Sequence, residues 1–226
     1  KKSVVTSNKE LVAAHGAELL ALAKENGVSY LFEASVGGGI PIIRPLNNCL
    51  AANDITSIAG ILNGTTNYIL TQMFKNGVSF EDALSDAQKK GYAERNPAAD
   101  IEGHDACRKI AILSSLAYGR QINSDDIKTE GITNITLQDV KYAEKEGYSI
   151  KLIGRSKNCG DSVYACVSPV MLPKGNPLCD VEDVFNAILV NGSATGDVMF
   201  YGKGAGKLPT ARAVVADVID IVKHKG

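Results

Sequence analysis

The segment Gly91-Tyr92-Ala93-Glu94-Arg95-Asn96-Pro97-Ala98-Ala99-Asp100-Ile101-Glu102-Gly103-His104-Asp105-Ala106-Cys107-Arg108-Lys109 carries the chain's densest set of acids and bases. Asp105 and Lys109 stand four residues apart, a spacing that puts a carboxylate and an amine on one helical face. Ile112, Leu113 and Leu116 continue that line, so the amine sits at the edge of an apolar stripe. Two readings follow. On a solvated helix the pair is an ordinary ion pair worth about 0.3–0.5 kcal/mol. At an apolar rim, lost hydration disfavours the charged lysine while Asp105 favours it, and the pair becomes a proton donor and acceptor near working pH.

Three further segments hold residue types that bind ligands. Phe32-Glu33-Ala34-Ser35-Val36-Gly37-Gly38-Gly39-Ile40-Pro41 runs from a strand into three glycines, but Ile42 stands where a dinucleotide fingerprint needs glycine. It is either a tight turn or a place where peptide carbonyls converge on a hard monovalent cation. Gly202-Lys203-Gly204-Ala205-Gly206-Lys207-Leu208-Pro209-Thr210 leads into a helix; its bare amides suit a phosphate or the anionic edge of a cofactor, or form a simple turn. Gly60-Ile61-Leu62-Asn63-Gly64-Thr65-Thr66-Asn67 reads as a strand end followed by a threonine N-cap. His15, His104 and His224 lack metal-ligand spacing, and no cysteine has a histidine beside it to argue for a nucleophile.

The elements that must position these groups follow from periodicity. Val4-Val5, a helix over Glu10 to Glu25 closed by Asn26-Gly27, and a strand over Val28 to Phe32 form one parallel crossover unit. Then come a helix from Pro41 to Leu50, a strand near Ile55 to Leu62, and helices over Thr65 to Lys75, Phe80 to Lys90 and His104 to Tyr118. Lys151 to Gly154 and Val163 to Val170 read as strands, with another over Val184 to Val190, and a helix runs from Pro209 to Lys223. The expected fold is α/β (α+β): a mixed open sheet covered by helices on one face, plus a strand-helix-strand remnant of a Rossmann-type nucleotide-binding domain.

Composition narrows the class. With 45% apolar and 22% charged residues the chain can bury a core without staples. Twenty-four basic against 25 acidic residues provide no broad electropositive face for nucleic acid. Apolar runs fall well short of the roughly 20 residues that span a bilayer. The start, Lys1-Lys2-Ser3-Val4, lacks a signal-peptide core, and five cysteines with no CxxC pair suit reduced thiols, so a cytoplasmic location is expected.

Taken in this order, the four segments resemble the homoserine dehydrogenase family along essentially the whole chain. The resemblance implies reversible hydride transfer between NADP or NAD and the C4 of L-homoserine or L-aspartate 4-semialdehyde, on the route to threonine and methionine. It implies Lys109 as the proton donor, with Lys9 and Asp105 as catalytic partners. Glu94, Asp100, Asp105, Gly64, Thr65 and Tyr92 are the implied substrate residues, with Glu94 on the ammonium. Ser7, Lys9, Gly91, Gly204 and Gly206 are implied on the cofactor side, and Glu33, Val36, Gly38 and Ile40 as sodium ligands through carbonyl oxygens.

This sequence departs from the family pattern at Asn96, at Ala99-Asp100 and at Arg212. Family members also open with a glycine fingerprint and a nucleotide-binding domain that this sequence does not display. The expected organisation is therefore residues 1–35 as a remnant of that domain, 36–200 for substrate binding, catalysis and dimerisation, and 201–226 returning to the nucleotide-binding side. Two rival functions are a binding and homodimerisation module that does not turn substrate over, and a dehydrogenase of another semialdehyde or keto acid.

Overall fold

The computed structural model describes residues 1–224; Lys225 and Gly226, the end of the C-terminal segment, lie outside the described residues. The first elements are β1 (Val4–Val5), α1 (Lys9–Glu25) and β2 (Tyr30–Leu31). β1 and β2 pair in parallel, Val4 opposite Tyr30, so α1 is the crossover the sequence predicts. Asn8 starts α1 by accepting the Leu11 N–H on its side-chain oxygen at 3.1 Å, which satisfies a donor left over at a helix start.

The glycine turn comes next, and here the structure corrects the helix expected from Pro41. Helical geometry begins only after Pro41, and residues Pro45–Cys49 wind as a π-helix. The buried Glu33 carboxylate accepts the N–H groups of Ile42 (2.7 Å), Ile43 (2.9 Å) and Arg44 (2.8 Å). A carboxylate therefore holds the helix's first amides.

The main sheet has six strands in the order β4-β6-β5-β3-β7-β8. These are β3 (Ile55–Ile61), β4 (Lys128–Thr129), β5 (Tyr148–Asn158), β6 (Val163–Pro173), β7 (Phe185–Gly192) and β8 (Gly196–Lys203). Every pairing is antiparallel except β4 with β6, so the sheet is mixed and open, as expected. β5 and β6 are longer than their apolar runs suggest because each residue of one faces a partner on the other from Tyr148–Pro173 to Asn158–Val163. The pairing, not side-chain periodicity, sets their length.

Helices α2 (Gly64–Asn76), α5 (His104–Tyr118) and α6 (Leu137–Lys145) pack on one face, and α3 (Phe80–Lys89) packs on α2. Ile58, Ile69, Met73, Ile110, Leu113 and Ile188 are sealed between them. Ile61, Ile153, Leu172, Leu178, Val181 and Ala187 form a smaller cluster on the other face. Asn67 and the buried Lys151 hold the cover of that cluster in place, both donating to the Val181 carbonyl. The last helix is α7 (Lys207–Lys223).

Besides the short 3-10 turns at Glu33–Ser35 and Ser124–Asp126, four elements escape the sequence reading: α4 (Ala98–Ile101), β4, α6 and β8. In α6 only Val140 and Ala143 are buried, too few to mark a helical stripe. β8 buries no residue completely and is a strand because β7 pairs with it throughout.

One close approach positions the acidic segment. A Cβ at Gly131 would lie 2.0 Å from the Ile101 carbonyl oxygen, and the neighbouring Ile132 N–H donates to that same oxygen at 2.8 Å. This contact seats α4 and its Asp100. Replacing Gly131 with Ala should lower the urea unfolding free energy by about 2–3 kcal/mol through overpacking; an unchanged midpoint would show that the contact yields without cost.

Candidate active site

Three chain segments meet around Asp105, in the first turn of α5. Gly103 precedes that helix at φ 87°, a left-handed conformation suited to glycine, and turns the chain from α4 into α5. Lys109, one turn later, donates to Asp105 Oδ2 at 2.6 Å and to the Leu62 carbonyl at the end of β3 at 2.9 Å. Lys9, the first residue of α1, reaches Asp105 Oδ1 at 3.0 Å. Asn63, the N-cap of α2, donates to Asp105 Oδ2 at 2.9 Å and to Asp100 Oδ1 at 2.7 Å.

Burial decides between the two readings of the Asp105–Lys109 pair. Their side chains are 6% and 11% exposed, so this is no solvated surface ion pair. Lys9 keeps 37% of its side chain exposed, and the cluster opens to solvent on that side. Burial by itself raises the pKa of Asp105, but the charges of Lys109 and Lys9, with hydrogen bonds from Lys109 and Asn63, hold its carboxyl well below the usual carboxylate range. Asp105 is therefore a fixed negative charge and not a group poised near neutral pH. The pKa of Asp100 moves the other way, raised first by burial and further by the Asp105 charge, against a hydrogen bond from Asn63.

The neighbouring residues form a rim. Thr65 Oγ1 donates to the Tyr92 carbonyl at 2.6 Å, tying the start of α2 to the acidic segment. The Tyr92 ring stands edge-on to buried Tyr68 with centroids 5.0 Å apart. A Cβ at Gly64 would lie 2.8 Å from the Val184 carbonyl oxygen, so glycine lets α2 start against the loop before β7. Gly91 ends α3 at φ 74°. Glu94 and Ser7 are solvent-exposed, and Glu94 lies in the same segment as Tyr92.

The glycine turn and the Gly202–Thr210 segment, remote in sequence, are in contact. Gly39 donates to the Lys203 carbonyl at 3.0 Å, and a Cβ at Gly38 would fall 2.5 Å from the Gly204 carbonyl oxygen. Asp217 on α7 locks this arrangement: its carboxylate accepts the Glu33 N–H at 2.9 Å and Arg44 Nη2 at 2.6 Å. Carboxylates thus take the amides on either side of the turn, at Glu33 and at Ile42, Ile43 and Arg44. Among the described residues, no hydrogen bond ends on the carbonyl oxygens of Val36, Gly38 or Ile40. No three His, Cys, Asp or Glu side chains of the described residues gather as a metal site, so any cation here would be held by peptide oxygens. Arg212 lines a cleft of about 270 Å³ beside this turn, together with Gly38, Gly39 and Arg44.

Two residues escaped the sequence reading. Asn63 looked like part of a strand end, and only its position opposite the acidic segment shows its two carboxylate partners. Asn186 on β7 is 1% exposed and its side-chain oxygen has no hydrogen-bond partner. It sits 3.6 Å from where a Gly64 Cβ would be, and its amide occupies the space a Gly204 Cβ would take. Gly204 is thus a glycine because Asn186 needs the room.

A family model described as Homoserine dehydrogenase matches residues 41–219. The homoserine dehydrogenase of Bacillus subtilis is 48% identical over 224 residues, covering 99% of this chain and 52% of that protein. The crystal structure of a homoserine dehydrogenase from Thiobacillus denitrificans superposes with a TM-score of 0.95 at 47% identity, covering 98% of this chain and 51% of that one. A hyperthermophilic archaeal homoserine dehydrogenase in complex with NADPH superposes with a TM-score of 0.85 at 33% identity, over 99% and 65% of the two chains. The chain spans about half the length of the curated relatives it matches. Family model, sequence and fold agree, and the chain belongs to the homoserine dehydrogenase family.

Proposed function

We propose that this chain is the substrate-binding and catalytic part of an enzyme that interconverts L-homoserine and L-aspartate 4-semialdehyde. The observation that carries the reading is the Lys109 amine, buried and aimed by two fixed oxygens, Asp105 Oδ2 and the Leu62 carbonyl. In the reducing direction Lys109 gives a proton to the oxygen on C4, and in the oxidising direction it accepts the hydroxyl proton. Asp105 stays ionised and sets the direction of the amine, while Lys9 balances its other oxygen. A nicotinamide cofactor supplies or accepts the hydride.

The rim residues Tyr92, Thr65, Gly64 and Asp100 line the approach to this amine, and Glu94 holds the substrate ammonium. Ser7, Lys9, Gly91, Gly204 and Gly206 face the cofactor, NADP or NAD. The fit rests on features of the chain. The orphaned Asn186 oxygen lies between the substrate loop and Gly204. Gly206 begins α7 without a side-chain cap, and such a helix start attracts anions. A sodium ion would be held at the glycine turn by the carbonyl oxygens of Glu33, Val36, Gly38 and Ile40; among the described residues no hydrogen bond ends on the last three.

Residues 1–35 and 201–226 belong with the nucleotide-binding side. Leu11 and Leu22 on α1, with Val215, Val218, Ile219 and Val222 on α7, leave apolar surface exposed there. The sheet face without helices exposes Tyr164, Met199 and Tyr201, which supports pairing with a second copy across a two-fold axis. No helix of the described residues is long and apolar enough to cross a membrane; the reading places the enzyme in the cytoplasm, where thiols stay reduced.

Replacing Lys109 with Ala in the full-length protein should cut kcat by about 1,000-fold while homoserine still binds. Normal turnover would remove Lys109 from the mechanism. Substrate analogues lacking the amino group should be turned over far less efficiently than homoserine, and equal kcat/KM values would strike Glu94 from its assignment.

Asp105 also has a pH signature. Its folded pKa is depressed, so its contribution to stability is complete above the unfolded value near 3.8 and is lost as pH falls through the folded value. Asp105→Asn leaves Lys109 buried without its counter-charge, a loss of about 3–5 kcal/mol at neutral pH. Urea titrations should show that gap narrowing only below about pH 4; a gap constant down to pH 2 would contradict the assigned pairing.

A further inference from the structure

Asp105 is balanced by two lysines, but Asp100 is not: among the described residues no lysine or arginine lies within ion-pair distance of it. The two carboxylates nevertheless share a site. The group between them is the Asn63 side-chain amide, itself only 5% exposed. Its oxygen accepts the Thr66 N–H at 2.9 Å and the Thr66 hydroxyl at 3.0 Å. That end of the amide is therefore fixed, and both hydrogens of Nδ2 face the acids, at 2.7 Å from Asp100 and 2.9 Å from Asp105. An asparagine offers two donors and here both are committed to carboxylates.

We propose that Asn63 is the positioning residue for the proton transfer assigned to Lys109, a two-pronged donor that sets the spacing of Asp100 and Asp105 and thereby the direction of the Lys109 amine. The proposal rests on the function argued above. Asp105 Oδ2 is shared between Asn63 and Lys109, so turning the carboxylate to find another donor also turns the acceptor that aims the amine. The groups facing the two acids are Lys9 from α1, Asn63 and Thr65 from α2, and Lys109 from α5. Of these, Asn63 alone is hydrogen-bonded to both.

An aspartate at position 63 separates this role from helix capping. Asp caps a helix as well as Asn does, but it has no hydrogens for the acids and adds a third negative charge beside them. Serine keeps a capping oxygen and adds no charge. Asn63→Asp and Asn63→Ser should therefore be compared with the wild type in the full-length protein. Both should lose kcat on the order of 100-fold, the scale of a small misplacement at a reacting centre, with a smaller change in KM. In Asn63→Asp the acid limb of the kcat profile should also move to higher pH, because removing donors and adding a negative charge both oppose ionisation of the pair. Both variants should melt below the wild type, because two buried acids lose their shared donor, so kcat is compared at a temperature where circular dichroism shows each variant folded.

Wild-type kcat and an unmoved acid limb in Asn63→Asp would overturn the proposal. So would rate losses that merely track the unfolded fraction seen by circular dichroism, since Asn63 would then be a helix cap and nothing more. A wild-type protein unable to interconvert homoserine and its semialdehyde would instead refute the function, whatever the variants do.

Discussion

A carboxylate buried in the first turn of α5 must be compensated, and the way Asp105 is compensated organises the site. An isolated charge taken out of water costs several kcal/mol even after relaxation. Here the balance comes from three directions: Lys109 from the same helix, Lys9 from the start of α1 and Asn63 from the cap of α2. The site therefore forms only when these elements are docked, and its charges in turn hold them there. Local helix geometry supplies only the Asp105–Lys109 spacing.

A similar division of labour shapes the glycine turn. Two buried acids, Glu33 and Asp217, hold the chain on either side of it: Glu33 accepts three N–H groups after the turn, and Asp217 accepts the N–H of Glu33 itself. The turn's own amides find carbonyls instead, Gly39 donating to Lys203 and Ile40 to Gly37. Burial raises the pKa of Asp217, while the Glu33 amide and Arg44 oppose the shift. Because Asp217 lies on α7, the turn and the last helix are one mechanical unit, although 173 residues separate Arg44 from its partner.

The sheet works as a rigid platform that delivers both regions to one side. The end of β3 presents the Leu62 carbonyl to Lys109 and then passes directly into the Asn63 cap. On its other edge β3 pairs with β7, which brings Asn186 beside Gly64 and Gly204. A sheet strand has little freedom to shift register when its faces are packed, which fixes a carbonyl and two asparagines relative to one another.

By itself the sequence determined the elements with strong local signals and the residues with distinctive types. Helices α1, α2, α3, α5 and α7 follow from apolar spacing, capping residues and glycine stops, and the Asp105–Lys109 pair follows from a four-residue interval. The resemblance of its motifs pointed to a family that the comparisons support. What only the tertiary structure decided depends on partners distant along the chain. β8 and the full lengths of β5 and β6 exist through pairing, and the π-helix after the glycine turn follows amides capped by Glu33 from nine residues and more away. Whether Lys109 is a solvated surface lysine or a buried, aimed amine depends on what docks over α5, and no local pattern records that. The two asparagines at the centre are ordinary in sequence. Their roles are set by which groups surround them, because a hydrogen bond is defined by distance and direction in space and not by order along the chain.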